Sequence, residues 1–337
     1  MTMLTRLLLG AAVAGASILA GCALNGTGSN FAAPSVPRLA GSPGVAASAH
    51  RILTTPALIA LDDETGRLEY WPLHRGGSAN AHWLSHSLGI EYSPAMVANG
   101  DQLYVASSQP PGITTYNVDT KATGSLAIPY GTPLDLAIDK TGTLYALTRS
   151  GVTVYPAGSG QAYQLTCSGM EYGYAVAVDN ESDVFVNGFS PNSSAVVIEY
   201  PVGSTGCTQL PLRPEVGYPT GIGVDPNNDN LVVVDNVYCA GGREGRMTVY
   251  RRPYGSKIEH VRNLNANCPG QFRFDSTATA ILFGDTFPEL RTARWNKRIC
   301  HAYSCIDKRT FPDVRRDRTY TSGYPGGFTT IPNNLPN

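Results

Sequence analysis

The chain has 337 residues, with 25 Lys and Arg against 26 Asp and Glu, a formal net charge of −1. Such a balance lacks the basic face that nucleic-acid binding demands, so nucleic acid is not an expected partner. Charged residues make up only 15%, while Gly (36), Pro (24) and Tyr (18) are plentiful, which favours many short strands and tight turns over helices.

In chain order, a lone positive charge at Arg6 precedes an apolar run from Leu7 to Ala20. That run is too short for a stable transmembrane helix and has the form of a signal-peptide core. It closes on Leu19-Ala-Gly-Cys22, which resembles the bacterial lipobox. The resemblance implies cleavage after residue 21 and acylation of Cys22, and two acyl signals suffice for stable membrane anchoring. The expected location is therefore lipid-anchored and extracytoplasmic, on the cell membrane or the outer membrane. Removing the signal leaves 24 basic against 26 acidic residues. Residues 22 to 50, rich in Gly, Ala, Ser and Pro, cannot bury enough apolar surface to offset ordering and read as a tether reaching on the order of 30 Å.

From residue 51 onward a unit recurs. It reads as an apolar strand ending in Asp, a turn, a Leu-Tyr-Val type strand, and a Val-Thr-Val-Tyr-Pro type strand. The clear copies run through Pro133-Leu-Asp-Leu-Ala-Ile-Asp139, through 174–204, through 219–250 and, upstream, through 94–116. Degraded copies begin at Leu58 and at Phe272. Equivalent positions Leu58, Leu103, Leu144, Val184, Leu231 and Ile281 are spaced 45, 41, 40, 47 and 50 residues apart, the period of a propeller blade. The first copy lacks an inner strand, and Tyr324-Pro-Gly-Gly-Phe-Thr-Thr-Ile331 resembles the inner strand at 218–224 and supplies it. The expected fold is all-β, a six-bladed β-propeller over 51–337 closed by N- and C-terminal strands sharing one blade, with an insertion at about 287–320.

The repeat unit resembles NHL-type repeats and the six-bladed propellers that include gluconolactonase-like (regucalcin-like) and lyase members. The resemblance implies the fold over roughly 55–332; it does not select an activity, because this architecture hosts enzymes, ligand binders and interaction scaffolds.

Several side chains are candidates for chemistry. The position after the second strand holds Asp62, Ser107, Thr148, Gly188, Asp235 and Asp285. Asp62, Asp235 and Asp285, with Asn187 and Asn236 beside them, form an oxygen-rich set suited to Ca or Mg; the local alternative is hydrogen bonding to their own turns. Asp135 interrupts an apolar inner strand and is a candidate ligand contact. Asp101, Asp139, Asp179, Asp225 and Asp275 recur at the end of every inner strand, as turn-formers do. His82 and His86 flank Trp83; a helix there would pair the imidazoles for a metal or a carbohydrate ring, whereas the plainer reading packs Trp83 on a blade edge. Residues 291–318 concentrate nine Lys and Arg against Asp307, Asp313 and Asp317; the plainer reading is a solvated loop balanced by acidic neighbours, the alternative a patch for anionic headgroups or an acidic wall polymer. With Cys22 assigned to lipid, six cysteines remain, pairing by proximity as Cys300–Cys305, Cys239–Cys268 and Cys167–Cys207, with free thiols as the alternative.

No nucleophile elbow, phosphate loop or dinucleotide fingerprint is present in the sequence. The expectation is a monomeric binding or interaction scaffold whose partner is an envelope protein or a small carbohydrate-like ligand. The alternative is a metal-dependent hydrolase or lyase of the gluconolactonase-like type.

Overall fold

The clearest second strands of the repeats are apolar almost without alternation, which is the pattern of a strand covered on both faces. In the computed structural model these runs are buried end to end: Leu144–Thr148 and Leu103–Ser107 present no exposed side chain. The structure describes residues 56–72, 82–158, 161–204, 206–236, 245–255, 258–264, 269–274, 280–285, 305–310, 316–320 and 325–331. The signal, Cys22, the tether, Cys239, Cys268, Cys300 and the 291–304 part of the basic insertion lie outside these residues.

Twenty-four strands pair into six four-stranded antiparallel sheets among the described residues. The first contains β1 (Ala57–Asp62), β2 (Arg67–Pro72) and β3 (His82–Trp83). The second contains β4 (Met96–Asn99), β5 (Gln102–Ser108), β6 (Pro111–Asn117) and β7 (Thr123–Leu126). The third runs β8 (Asp135–Ile138), β9 (Leu144–Thr148), β10 (Gly151–Tyr155) and β11 (Tyr163–Leu165). The fourth runs β12 (Tyr172–Val178), β13 (Val184–Phe189), β14 (Ala195–Tyr200) and β15 (Thr208–Gln209). The fifth runs β16 (Tyr218–Val224), β17 (Leu231–Asn236), β18 (Arg246–Tyr250) and β19 (Ile258–Asn263). The sixth runs β20 (Pro269–Phe274), β21 (Ala280–Asp285), β22 (Cys305–Thr310) and β23 (Arg316–Tyr320). The last strand, β24 (Pro325–Ile331), returns to the first sheet and pairs antiparallel with β1, Ile59 opposite Thr329 and Ala60 opposite Phe328.

The inner strands touch in the order β4, β8, β12, β16, β20, β24 and back to β4, a closed ring. Six apolar clusters fill the gaps between neighbouring sheets. One packs Ile59 and Leu61 against Val105 and Tyr116, and another closes the circuit by packing Leu58, Trp71 and Phe328 against Leu282. The chain is thus an all-β propeller, and its C-terminal strand completes its N-terminal sheet. That pairing leaves no open inner edge on β1 to template association.

Two local expectations need revising. Residues 82–83 are not helical: they form the outermost strand of the first sheet, with Trp83 opposite Glu69 and His82 opposite Tyr70. Nor is Trp83 packed on a blade edge, for it is 53% exposed. The physical reason is that the repeat places its fourth strand here. Of the three expected cysteine pairs, Cys167–Cys207 is bonded, joining the loop after β11 to the segment before β15. Cys305 opens β22, and the other cysteines lie outside the described residues.

Candidate functional site

The inner strands surround an axial channel, and two of them bar it. Asp135, which opens β8, and Arg273, on β20, stand on opposite sides of the ring and are 3% and 2% exposed. One guanidinium nitrogen of Arg273 donates to Asp135 Oδ1 at 2.8 Å and to the carbonyl of Leu136 at 2.8 Å, and the other donates to the carbonyl of Phe272 at 2.8 Å. The second carboxylate oxygen of Asp135 accepts the Val176 amide at 2.9 Å, tying β8 to β12. Beside this pair, Gln271 donates to the carbonyls of Met96 and Phe328, and its own carbonyl accepts the Phe328 amide. Asp135 is therefore at the axis as its sequence position suggested, but its charge is neutralised across the channel. Arg273 was not singled out from the sequence; the available signal was a cation between two phenylalanines in an inner strand.

Three further candidates, Asp62, Asp235 and Asn187, are spent close to home. Asp62 accepts the Glu64 amide at 3.1 Å and the Thr65 hydroxyl at 2.8 Å, closing the β1–β2 turn. Asp235 pairs with Arg246 through two guanidinium nitrogens, at 3.0 Å from Nε, and also accepts the Gly217 amide at 2.6 Å. A divalent ion at Asp235 would have to displace that guanidinium. Asn187 uses both ends of its amide: its oxygen accepts the Ala175 amide and its nitrogen donates to the Gly221 carbonyl, each at 2.9 Å, stitching β12, β13 and β16 together. Asn236 ends β17 and Asp285 ends β21, with their side chains outside the described residues. Among the described residues no three His, Cys, Asp or Glu side chains gather in a metal-holding group. The strand-end aspartates behave as turn-formers: Asp139 accepts the amides of Thr141 and Thr143, and Asp179 accepts those of Glu181 and Asp183.

The mouth face, where the second strands end and the inner strands begin, carries an arrangement that the sequence reading passed over. Tyr172 and Tyr174 at the start of β12, Phe189 at the end of β13 and Tyr218 at the start of β16 form one aromatic group spanning two adjacent sheets. Phe189 lies 5.8, 5.8 and 5.2 Å from the centroids of Tyr172, Tyr174 and Tyr218. The hydroxyls of Tyr174 and Tyr218 are 2.7 Å apart, and that of Tyr172 is 3.5 Å from Tyr174. Tyr172 and Tyr218 are 37% and 38% exposed, so the group is fixed by mutual contact yet open to solvent. Burial, together with hydrogen bonds from its two neighbours, raises the Tyr174 phenol above its ordinary value. Gly188 permits the seating: a Cβ there would lie 2.2 Å from the Tyr172 carbonyl oxygen. The legible clue was a tyrosine at or shortly before the start of five inner strands, Tyr92, Tyr130, Tyr172, Tyr218 and Tyr324.

Two carboxyls, buried Glu69 and half-buried Asp63, mark the first sheet. Burial raises Glu69 to about 7, helped by the charge of Asp62, and Glu69 Oε2 has no hydrogen-bond partner among the described residues. Asp63 is also raised to about 7 by burial, against the opposing hydrogen bond from the Ser93 amide and with the Asp62 charge adding.

No protein-family description matches the chain, and no curated protein matches it by sequence. Its fold is similar to that of solved structures. A chain from the nidogen/laminin complex is 14% identical, with a TM-score of 0.63, covering 82% of this chain and 98% of that one. A catalytically inactive virginiamycin B lyase from Staphylococcus aureus, solved with quinupristin, is 12% identical with a TM-score of 0.51, covering 84% and 95%. A gluconolactonase from Xanthomonas campestris is 14% identical with a TM-score of 0.49, covering 70% and 80%. At these identities the likeness is one of fold alone: the chain is a β-propeller, an architecture that does not by itself select a function.

Proposed function

We propose that this protein is an envelope-tethered binding propeller, anchored through acylated Cys22, whose mouth face captures a ligand or partner protein on the Tyr172, Tyr174, Phe189 and Tyr218 platform. The observation that carries the reading is the exposure of that platform. Rigid tyrosines offer large contact area at low entropic cost, with hydroxyls to orient what they bind. Catalysis has less support, since Asp62 and Asp235 are occupied by turn and guanidinium contacts and the axis is barred by Arg273. A metal-dependent hydrolase or lyase using Ca or Mg is the competing reading, and it requires donors to gather that are committed elsewhere.

Photo-crosslinking residues introduced at positions 172 and 218, in cells expressing the anchored chain, test the proposal. The expected result is one discrete adduct common to both positions, absent when the crosslinker replaces Tyr163 on the outer strand β11, together with release of a Cys22→Ser chain from the membrane fraction. Adducts equal at all three positions would refute the mouth site. Stoichiometric bound Ca or Mg with turnover of a lactone would favour the enzyme. Retention of the Cys22→Ser chain on the membrane would remove the anchor.

A further inference from the structure

The mouth platform is not the chain's only exposed aromatic surface. On the outer rim, between the first and second sheets, a groove of about 500 Å³ is lined by Arg67, Trp83, His86, Tyr116, Lys121 and Thr123, among others. That volume lies within the ~300–1,000 Å³ range of sites for small ligands. We propose that this groove binds an anionic saccharide of the hexuronic acid class.

The aromatic wall comes first. Trp83 is 53% exposed on the outermost strand β3, and the Arg67 guanidinium lies 5.2 Å from its ring centroid. Cation–π stacking holds Arg67 along the indole while leaving guanidinium donors available for a carboxylate, which it can grip with two parallel hydrogen bonds. The rest of the groove is firmly built. Tyr116, buried at 2% exposure, donates its hydroxyl to the Leu84 carbonyl at 3.0 Å, and Ser85 accepts the Leu68 amide at 3.0 Å. The first bond ties the segment after β3 to the second sheet, and the second ties that segment to β2 of its own sheet.

Charge then selects the ligand. Arg67, Lys121 and His86 face the groove and no carboxylate lines it. None of these three forms an ion pair among the described residues, although the chain as a whole is slightly acidic. An indole wall suits the flat C–H face of a pyranose, and the hydroxyls of Ser85, Ser87 and Thr123 suit its polar edge. The Arg67 and Lys121 cations lining the groove suit a ring carboxylate. A purely apolar ligand would leave the cations and hydroxyls unanswered, and a small inorganic anion would leave the indole bare. This site is on the rim and does not depend on the mouth platform.

The probes are a trimer of galacturonic acid and the neutral galactose trimer, titrated calorimetrically at low salt against the full chain. Only three tryptophans are present, and Trp71 is buried at 1% exposure, so quenching of Trp83 gives a second readout, assigned by its disappearance in Trp83→Phe. The acidic trimer should bind at least tenfold more tightly than the neutral one. It should weaken at least tenfold in Trp83→Ala and in the Arg67→Gln, Lys121→Gln double variant, and weaken further as salt is raised. A Tyr172→Ala, Tyr218→Ala variant should bind it unchanged. No binding of either trimer, equal binding of both, or full binding by Trp83→Ala would overturn the proposal. Loss in the mouth variant with retention in the rim variants would move the saccharide to the mouth and refute the rim site alone.

Discussion

Asp135 and Arg273 show how one buried pair can do the work of a plug. Each charge is withdrawn from water, and the pair survives because its partners include carbonyls and an amide as well as each other. Removing one member leaves a charge stranded, at a cost of about 3–5 kcal/mol, whereas replacing both with apolar residues of similar volume is often neutral. Arg273→Met should therefore lower the unfolding free energy by about 3 kcal/mol in urea titrations, and Asp135→Leu added to it should restore most of the loss. Failure of the double variant to recover would mean that the amide and carbonyl bonds, not the charges, hold the axis. Glu69 behaves differently because its buried Oε2 has no hydrogen-bond partner among the described residues. Its proton is held to about pH 7 in the native chain but is lost near pH 4.5 when unfolded. Between those values the native state binds the extra proton, so stability falls as pH rises through this window and levels off above it. Glu69→Gln removes that slope, and its stability relative to the parent should grow by on the order of 2 kcal/mol from pH 4 to pH 8. An unchanged difference across that range would show that Glu69 finds a compensating partner in solution.

At the scale of strands, the sequence carried most of what the fold needed. The recurrence of an apolar strand, Asp, turn and apolar strand was legible because each copy must bury both faces of its central strands and close the same turn. Asp139 and Asp179 do in fact cap their turns through Oδ1. The fourth strands were harder to read. Outermost strands such as β15 (Thr208–Gln209) are two residues long and exposed, so no apolar period marks them, and His82–Trp83 was open to a helical reading for the same reason. Functional placement was less legible still. Asp135 announced itself as a charge in an apolar strand, but its partner lies 138 residues away in a degraded copy of the repeat. Asp62 and Asp235 occupy equivalent positions, yet equivalence in a repeat gives no common centre: one closes its own turn and the other pairs with Arg246. The mouth tyrosines were visible as a pattern, and only packing against Phe189 turned the pattern into a surface.

For the whole molecule, stability rests on a circuit in which every sheet covers its neighbours, and β24 is the link with the greatest separation in sequence. Phe328 is buried at 1% exposure against Leu58, Trp71 and Leu282, so the strand contributes both hydrogen bonds and a core side chain. Gly327 passes so close to β4 that a Cβ would sit 2.3 Å from the Ala95 carbonyl carbon. Backbone cannot yield there as a flexible side chain would, which makes this glycine a requirement of closure. Ending the chain after Gly323 should expose the β1 edge and uncover the gap between the first and sixth sheets. The expected outcome is a chain that elutes as mixed oligomers in size-exclusion chromatography, with its cooperative melt lost, because an unpaired inner edge recruits other strands. A synthetic peptide of residues 325–331 should restore the monomeric peak, and the same peptide carrying Gly327→Val should not. A truncated chain that stays monomeric with an unchanged melting temperature would mean that the remaining five inter-sheet gaps hold the ring without its clasp.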